Sequence, residues 1–161
     1  MTNLNEKRKF EPILKHIEPI LKNRFIVELP KEFGIESYLI QKVSRPTLTY
    51  HSRSNYTWGN LEIEIIDTYA HTPSQGVLKM VEFCKTKKAK FAKKEIVDPK
   101  KMVLFNFDIK VVDPTGVATE TWTIHVKELV SVEFGENNYE SSDIKMIKIV
   151  VEPVYCTLKS N

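Results

Sequence analysis

The side chains able to do chemistry in this sequence are few and scattered. Four histidines, His16, His51, His71 and His125, share no helical or strand spacing that would turn two of them toward one ion. The two cysteines, Cys84 and Cys156, belong to no short metal-binding cluster, and each sits in an apolar run where a buried free thiol is expected rather than a disulfide. The five glycines, Gly34, Gly59, Gly76, Gly116 and Gly135, are isolated, so no glycine-rich loop can cradle a phosphate. Residue type allows one nucleophile with a base, Cys84 with His71 or His125, but Cys84 falls on the apolar stripe of a predicted helix, where a thiol packs. Glu62 and Glu64 share one face of a predicted strand. Such a pair can do acid–base work, and far more commonly it projects a row of charge. The sequence therefore predicts no catalytic residue, no cofactor site and no metal site, and reads as a protein that is not an enzyme.

The elements that must position these residues are mostly strands. Phe25, Val27 and Leu29 alternate with Ile26 and Glu28 until Pro30 stops the run, and a second strand is expected over residues 38–43. Residues 45–57 are rich in Thr, Ser, Tyr and Arg, contain Pro46 and keep no period, which predicts a long loop. Residues 58–66 then alternate cleanly, with Leu61, Ile63 and Ile65 on one side and Glu62 and Glu64 on the other. Thr72-Pro73-Ser74-Gln75 matches a capping box with proline at the first helical position, and Val77, Leu78, Met80, Val81 and Cys84 give the apolar stripe of a helix expected to end near residues 85–88. Six lysines lie between Lys85 and Lys94, and a solvated helix end accounts for them more simply than a polyanion site.

The last third reads as strand throughout. Val103, Phe105, Phe107, Ile109 and Val111 mark one face, Asp113-Pro114-Thr115-Gly116 a turn, and Trp122, Ile124 and Val126 the returning strand. Val130, Val132 and Phe134 keep the same parity, with a bulge expected near Glu128 and Leu129. A polar loop over residues 135–143 precedes a final strand, interrupted at Pro153. At the other end of the chain, Glu11-Pro12-Ile13-Leu14-Lys15 recurs as Glu18-Pro19-Ile20-Leu21-Lys22. Phe10, Ile13, Leu14, Ile17 and Leu21 fall on one helical face, and Pro19 within it predicts a kinked helix or two short turns. The organisation is thus an N-terminal helical arm, residues 1–22, and one domain, residues 23–161, mainly β with one flanking α-helix, arranged as an antiparallel barrel or sandwich.

Composition narrows the function further. A chain of 161 residues closes a core without disulfides, and 42% hydrophobic with 28% charged residues is ordinary for a globular protein. A net charge of +3, from 24 Lys and Arg against 21 Asp and Glu, is far from the basic stripe of a nucleic-acid binder. No run approaches the about 20 apolar residues of a membrane span, and residues 1–10 are too polar for a signal peptide, so the chain is expected to stay where it is made and to bind no membrane.

Several segments together carry a resemblance. Asn23-Arg24-Phe25-Ile26-Val27-Glu28, Gln41-Lys42-Val43-Ser44-Arg45-Pro46 and Trp58-Gly59-Asn60-Leu61-Glu62-Ile63 leading into a helix resemble successive elements of the inner tail tube family of contractile-tailed, T-even-like bacteriophages, which is related to type VI secretion tubes. Trp122-Thr123-Ile124-His125-Val126-Lys127-Glu128-Leu129-Val130, Val132-Glu133-Phe134 and a closing strand from Asp143 extend it to residues 23–158. The resemblance implies a fold of the tail tube type and homo-hexameric rings stacked into a tube. It implies the tail sheath protein, the tape measure protein and the baseplate as partners, DNA that passes without specific binding, and a place in the virion tail after assembly in the host cytoplasm. On that reading Glu62 and Glu64 face the lumen, while the arm, through Ile13, Leu14, Ile17 and Leu21, and the long loop, through Arg45, Tyr50, Arg53 and Tyr56, make contacts between rings. The tandem Glu-Pro-Ile-Leu-Lys arm and the lysine run map onto no motif of the family. Two alternatives stay open: a baseplate-proximal or tail-completion protein of the same fold, and a small β-barrel binding module with Tyr50, Tyr56 and Trp58 lining its site.

Overall fold

The computed structural model describes residues 20–52, 55–70, 72–94 and 98–160. Eight strands and one long helix are placed: β1 (Phe25–Glu28), β2 (Ile40–Val43), β3 (Leu48–Ser52), β4 (Asn55–Trp58), β5 (Leu61–Ile66), α1 (Thr72–Lys93), β6 (Phe105–Val112), β7 (Ala118–Glu133) and β8 (Met146–Ser160). Six strands form one sheet in the order β1-β6-β7-β8-β5-β2, every neighbour antiparallel, and β3 and β4 pair as a separate hairpin. The outer strands β1 and β2 are four residues each, and they approach one another, so the sheet curls into a nearly closed barrel. Mainly β with one helix is the architecture the sequence predicts.

The alternation along the strands builds the core. Leu61, Ile63 and Ile65 of β5, Phe105, Phe107 and Ile109 of β6, Ile124 and Val126 of β7, and Ile147, Ile149 and Val151 of β8 all point inward and are buried. Each such side chain contributes roughly 1.5–3 kcal/mol through removal from water. The helix α1 adds Val77, Met80 and Cys84, spaced three and four residues apart, to the same interior. Phe33 locks it there, meeting Phe83 of α1 and Phe105 of β6 edge to face at 5.5 and 5.4 Å. Gly76 permits the approach, because a Cβ there would lie 2.4 Å from the Phe33 carbonyl oxygen and 2.7 Å from Ile35 Cγ1.

Several local expectations are corrected. Residues 45–57 are not a long loop: most of them belong to the β3–β4 hairpin, whose Thr, Tyr and Trp residues favour strand, while exposure of both faces removes the alternation that would announce one. The expected strand from residue 58 begins only at Leu61, because Gly59 turns the chain and donates its N–H to the Thr47 carbonyl at 2.8 Å. Of residues 38–43 only Ile40–Val43 is strand, the preceding Ser37–Leu39 being a 3₁₀ turn. The helix runs past residues 85–88 to Lys93, since its Lys and Ala residues are good helix formers and Phe91 packs against the core. Val130 and Phe134 are exposed, because register shifts after Val126 and Leu129 move β7 out of parity. The bulge expected near Glu128 is one of those shifts. The final strand continues through Pro153, which pairs opposite Val126 of β7 at a point where β5 has already ended, so no ladder bond on that side is lost.

Candidate assembly surfaces

The β5 strand sets two poles. The β3–β4 hairpin enters at its first residue, Leu61, and its last residue, Ile66, pairs with Met146 at the end of the loop that joins β7 to β8. Six residues of strand separate the two by roughly 20 Å. The helix α1 starts at the loop pole, where Ser74 donates its hydroxyl to the Asp67 carboxylate at 2.9 Å.

At the hairpin pole an aromatic ladder leads from the core outward. Trp122 of β7 meets Trp58, Trp58 meets Tyr56 and Tyr56 meets Tyr50, all edge to face at 6.2–6.5 Å. Tyr50 ends the ladder 73% exposed, and Tyr56 is also exposed. Glu120 fixes the hairpin base, accepting from Arg45 at 2.5 Å and from the Trp122 indole N–H at 2.6 Å. Leu21 lies at the same pole, exposed beside Val111 and Pro114, where the Arg24 carbonyl accepts from Val112 N–H. The structure thus brings Leu21, Arg45, Tyr50 and Tyr56 to one end of the barrel. Ile13, Leu14, Ile17 and Arg53, with His16 and His71, fall outside the described residues.

Glu62 and Glu64 lie on the outer face of β5, opposite the core face, as their parity predicts. They do not form a bare row of charge. Lys148 of β8 reaches Glu62 at 3.3 Å and is the cross-strand partner of Glu64, and Lys42 of β2 flanks Glu64 from the other side. The bond to Glu62, reinforced by the charges of Glu133 and Glu64, raises the Lys148 pKa. The same outer face carries Lys110 on Glu28 and Lys127 on Glu152, which leaves it a mosaic of ion pairs. The compensating lysine was invisible in sequence because nothing local ties β8 to β5.

The residues weighed for chemistry are engaged in packing. Burial raises the thiol pKa of Cys84, against the lowering influence of Lys88 and Lys87, and pushes that of Cys156 up to about 12, the opposite of an activated nucleophile. His125 stacks on Tyr155 with ring centroids 4.0 Å apart, and its burial lowers its pKa, with Asp108 opposing. In the lysine run, Lys87 donates to the Leu104 carbonyl and Lys88 pairs with Glu128.

Two features of the sheet had no sequence signal. The β6 strand ends its pairing with β7 at Val126, and β5 ends its pairing with β8 at Val151. Residues 128–133 of β7 and 152–160 of β8 therefore pair only with each other's strand, and among the described residues no further strand is hydrogen-bonded to their outer sides, although β4 lies close to β8 and Lys88 of α1 reaches Glu128.

No protein-family model matches the chain, and no curated protein sequence does. Solved structures do. A chain of the anti-feeding prophage cap, described as a tube terminating cap, aligns with a TM-score of 0.57 at 15% identity over 90% of this chain and 93% of that one. A chain of the sheath–tube complex of an extracellular contractile injection system, PVC, in its extended state gives 0.53 at 12% identity, over 94% and 98%. A type six secretion system protein gives 0.50 at 9% identity, over 84% and 82%. The chain has the tail-tube type of fold.

Proposed function

We propose that this protein is a structural subunit of the inner tube of a contractile tail, in which six copies close a ring and rings stack into a conduit. The observation that carries this reading is the pair of edges without a hydrogen-bonded strand partner, residues 128–133 and 152–160, on opposite sides of the two longest strands. A long open edge invites aggregation in a monomer, and an edge on each side of one sheet lets copies join head to tail into a single antiparallel wall. The two edges lie at different heights along the barrel, an offset that strand tilt absorbs when a sheet closes on itself.

In that wall Glu62 and Glu64 face the lumen with Lys148 among them, and a near-neutral mosaic lets a polyanion such as DNA slide without holding it. The arm, residues 1–22, and the hairpin, through Tyr50 and Tyr56, reach between rings. The sheath, the tape measure protein and the baseplate are the partners this role requires, and the assembled tail is its place. A second reading, a ring that terminates the stack, is favoured by the fold shared with a tube terminating cap.

Negative-stain electron microscopy of the concentrated, purified protein separates these. Tubes support the subunit reading, and single rings that never stack support the cap. A monodisperse monomer at high concentration overturns both.

A further inference from the structure

The loop joining β7 to β8 is one-sided in composition. Residues 134–143 carry Glu136, Glu140 and Asp143 with no basic residue, and Glu133 ends β7 just before them. Lys145, just beyond, donates to the Asn137 side chain. The loop folds around a cleft of about 680 Å³ whose walls include Glu136, Tyr139, Asp143 and Ile144 with Lys145 as the one basic residue, and Tyr139 and Ile144 are exposed. Tyr69, fully exposed, stands beside it across a second concavity shared with Asp143 and Ile144. A monomer has no use for fully exposed tyrosines and an isoleucine beside Glu136 and Asp143, and such patches mark contact surfaces.

The opposite pole has the complementary character. Residues 45–58 contain two arginines and a histidine and no carboxylate, and their exposed face is aromatic. Arg45 shares its charge with Glu120, but Arg24 and Lys159 also stand at this pole, against Asp113 and Glu120. The rigid ladder from Trp122 to Tyr50 holds the hairpin out from the barrel at little entropic cost to a partner that binds it.

We infer that the occupant of the 135–146 cleft is the β3–β4 hairpin of a second copy of this chain, docked head to tail, with Tyr50 and Tyr56 against Tyr139 and Ile144 and the basic pole against Glu136, Asp143 and the neighbouring Glu140. A contact between different patches at opposite poles propagates as an open stack rather than closing a dimer. The inference rests on the tube reading and specifies which surfaces join successive rings.

Cross-linking tests it directly. The variant T49C/N138C puts one thiol on the hairpin and one on the loop, while the native Cys84 and Cys156 are buried. After mild oxidation of assembled protein, a ladder of covalent multimers on a non-reducing gel is expected, absent from either single variant. The loop variant E136K/E140K is expected to raise the concentration needed for stacking by about tenfold or more while single rings persist in micrographs. Stacks without a cross-linked ladder, or stacking untouched by the charge reversal, overturn the inference and leave the tube reading standing. A wild-type protein that forms no ring at all overturns both.

Discussion

At the scale of single residues the molecule is specified by burial, and its titratable groups report that. Burial of His125 in its stack on Tyr155 lowers its pKa, with Asp108 opposing. A histidine whose folded pKa is depressed contributes stability above its unfolded value, near 6.5, which is lost as pH falls through the folded value. The variant H125F keeps the stacking and removes the titration, so its melting temperature should fall less between about pH 7 and pH 5 than that of the wild type. The two thiols make a second test. Both should resist a thiol-specific reagent in the native protein at pH 8, and both should react once urea unfolds the chain, since burial and a raised pKa protect them only in the folded state. Sequence parity correctly assigned Glu62 and Glu64 to the outer face, but their neutralising partner Lys148 arrives from a strand far along the chain. Pattern shows which face a residue takes, and only pairing shows what it meets.

At the scale of elements, what was legible followed from period. The strands β5, β6 and β8 and the first part of β7 bury alternate residues, and α1 buries a stripe, so each announced itself. The hairpin did not, because a strand exposed on both faces has no alternating pattern to read. Nor did the shifts of register in β7, since a bulge changes parity without changing composition. The junction of α1 with the turn before β2 shows how close the fit of elements is. Alanine at Gly76 would gain up to about 1 kcal/mol in helix propensity. It would also force the helix off the Phe33 carbonyl, a backbone atom that cannot swing away, and overpacking of this kind costs about 1–3 kcal/mol. The steric cost outweighs the gain in propensity, and G76A should unfold at a lower urea concentration than the wild type with an unchanged slope. A G76A protein as stable as the wild type would mean that α1 can slide without loss of its contacts to Phe33.

At the scale of the whole molecule the barrel is complete as a core and incomplete as a sheet. Its interior is closed by α1 and the turns after β1, and no charged or polar side chain is buried among the described residues, so a single copy should be a stably folded unit. Its two long strands nevertheless outrun their neighbours, and this follows from connection lengths and register, which no local stretch of sequence reveals. Beside those edges stand Val130, 47% exposed, and Leu158, 50% exposed, two apolar residues that a permanent monomer would do better to replace. Lysine at both positions places charge along each edge, the device by which sheet proteins discourage edge-to-edge pairing, and touches no core contact. The V130K/L158K variant should therefore keep its melting transition to within about 0.5 kcal/mol while losing lateral assembly, read as a fall in sedimentation coefficient from that of a ring to that of a monomer. Rings that persist in this variant would show that copies meet through some other face, and the unpaired strand edges would then have to be explained by a different partner.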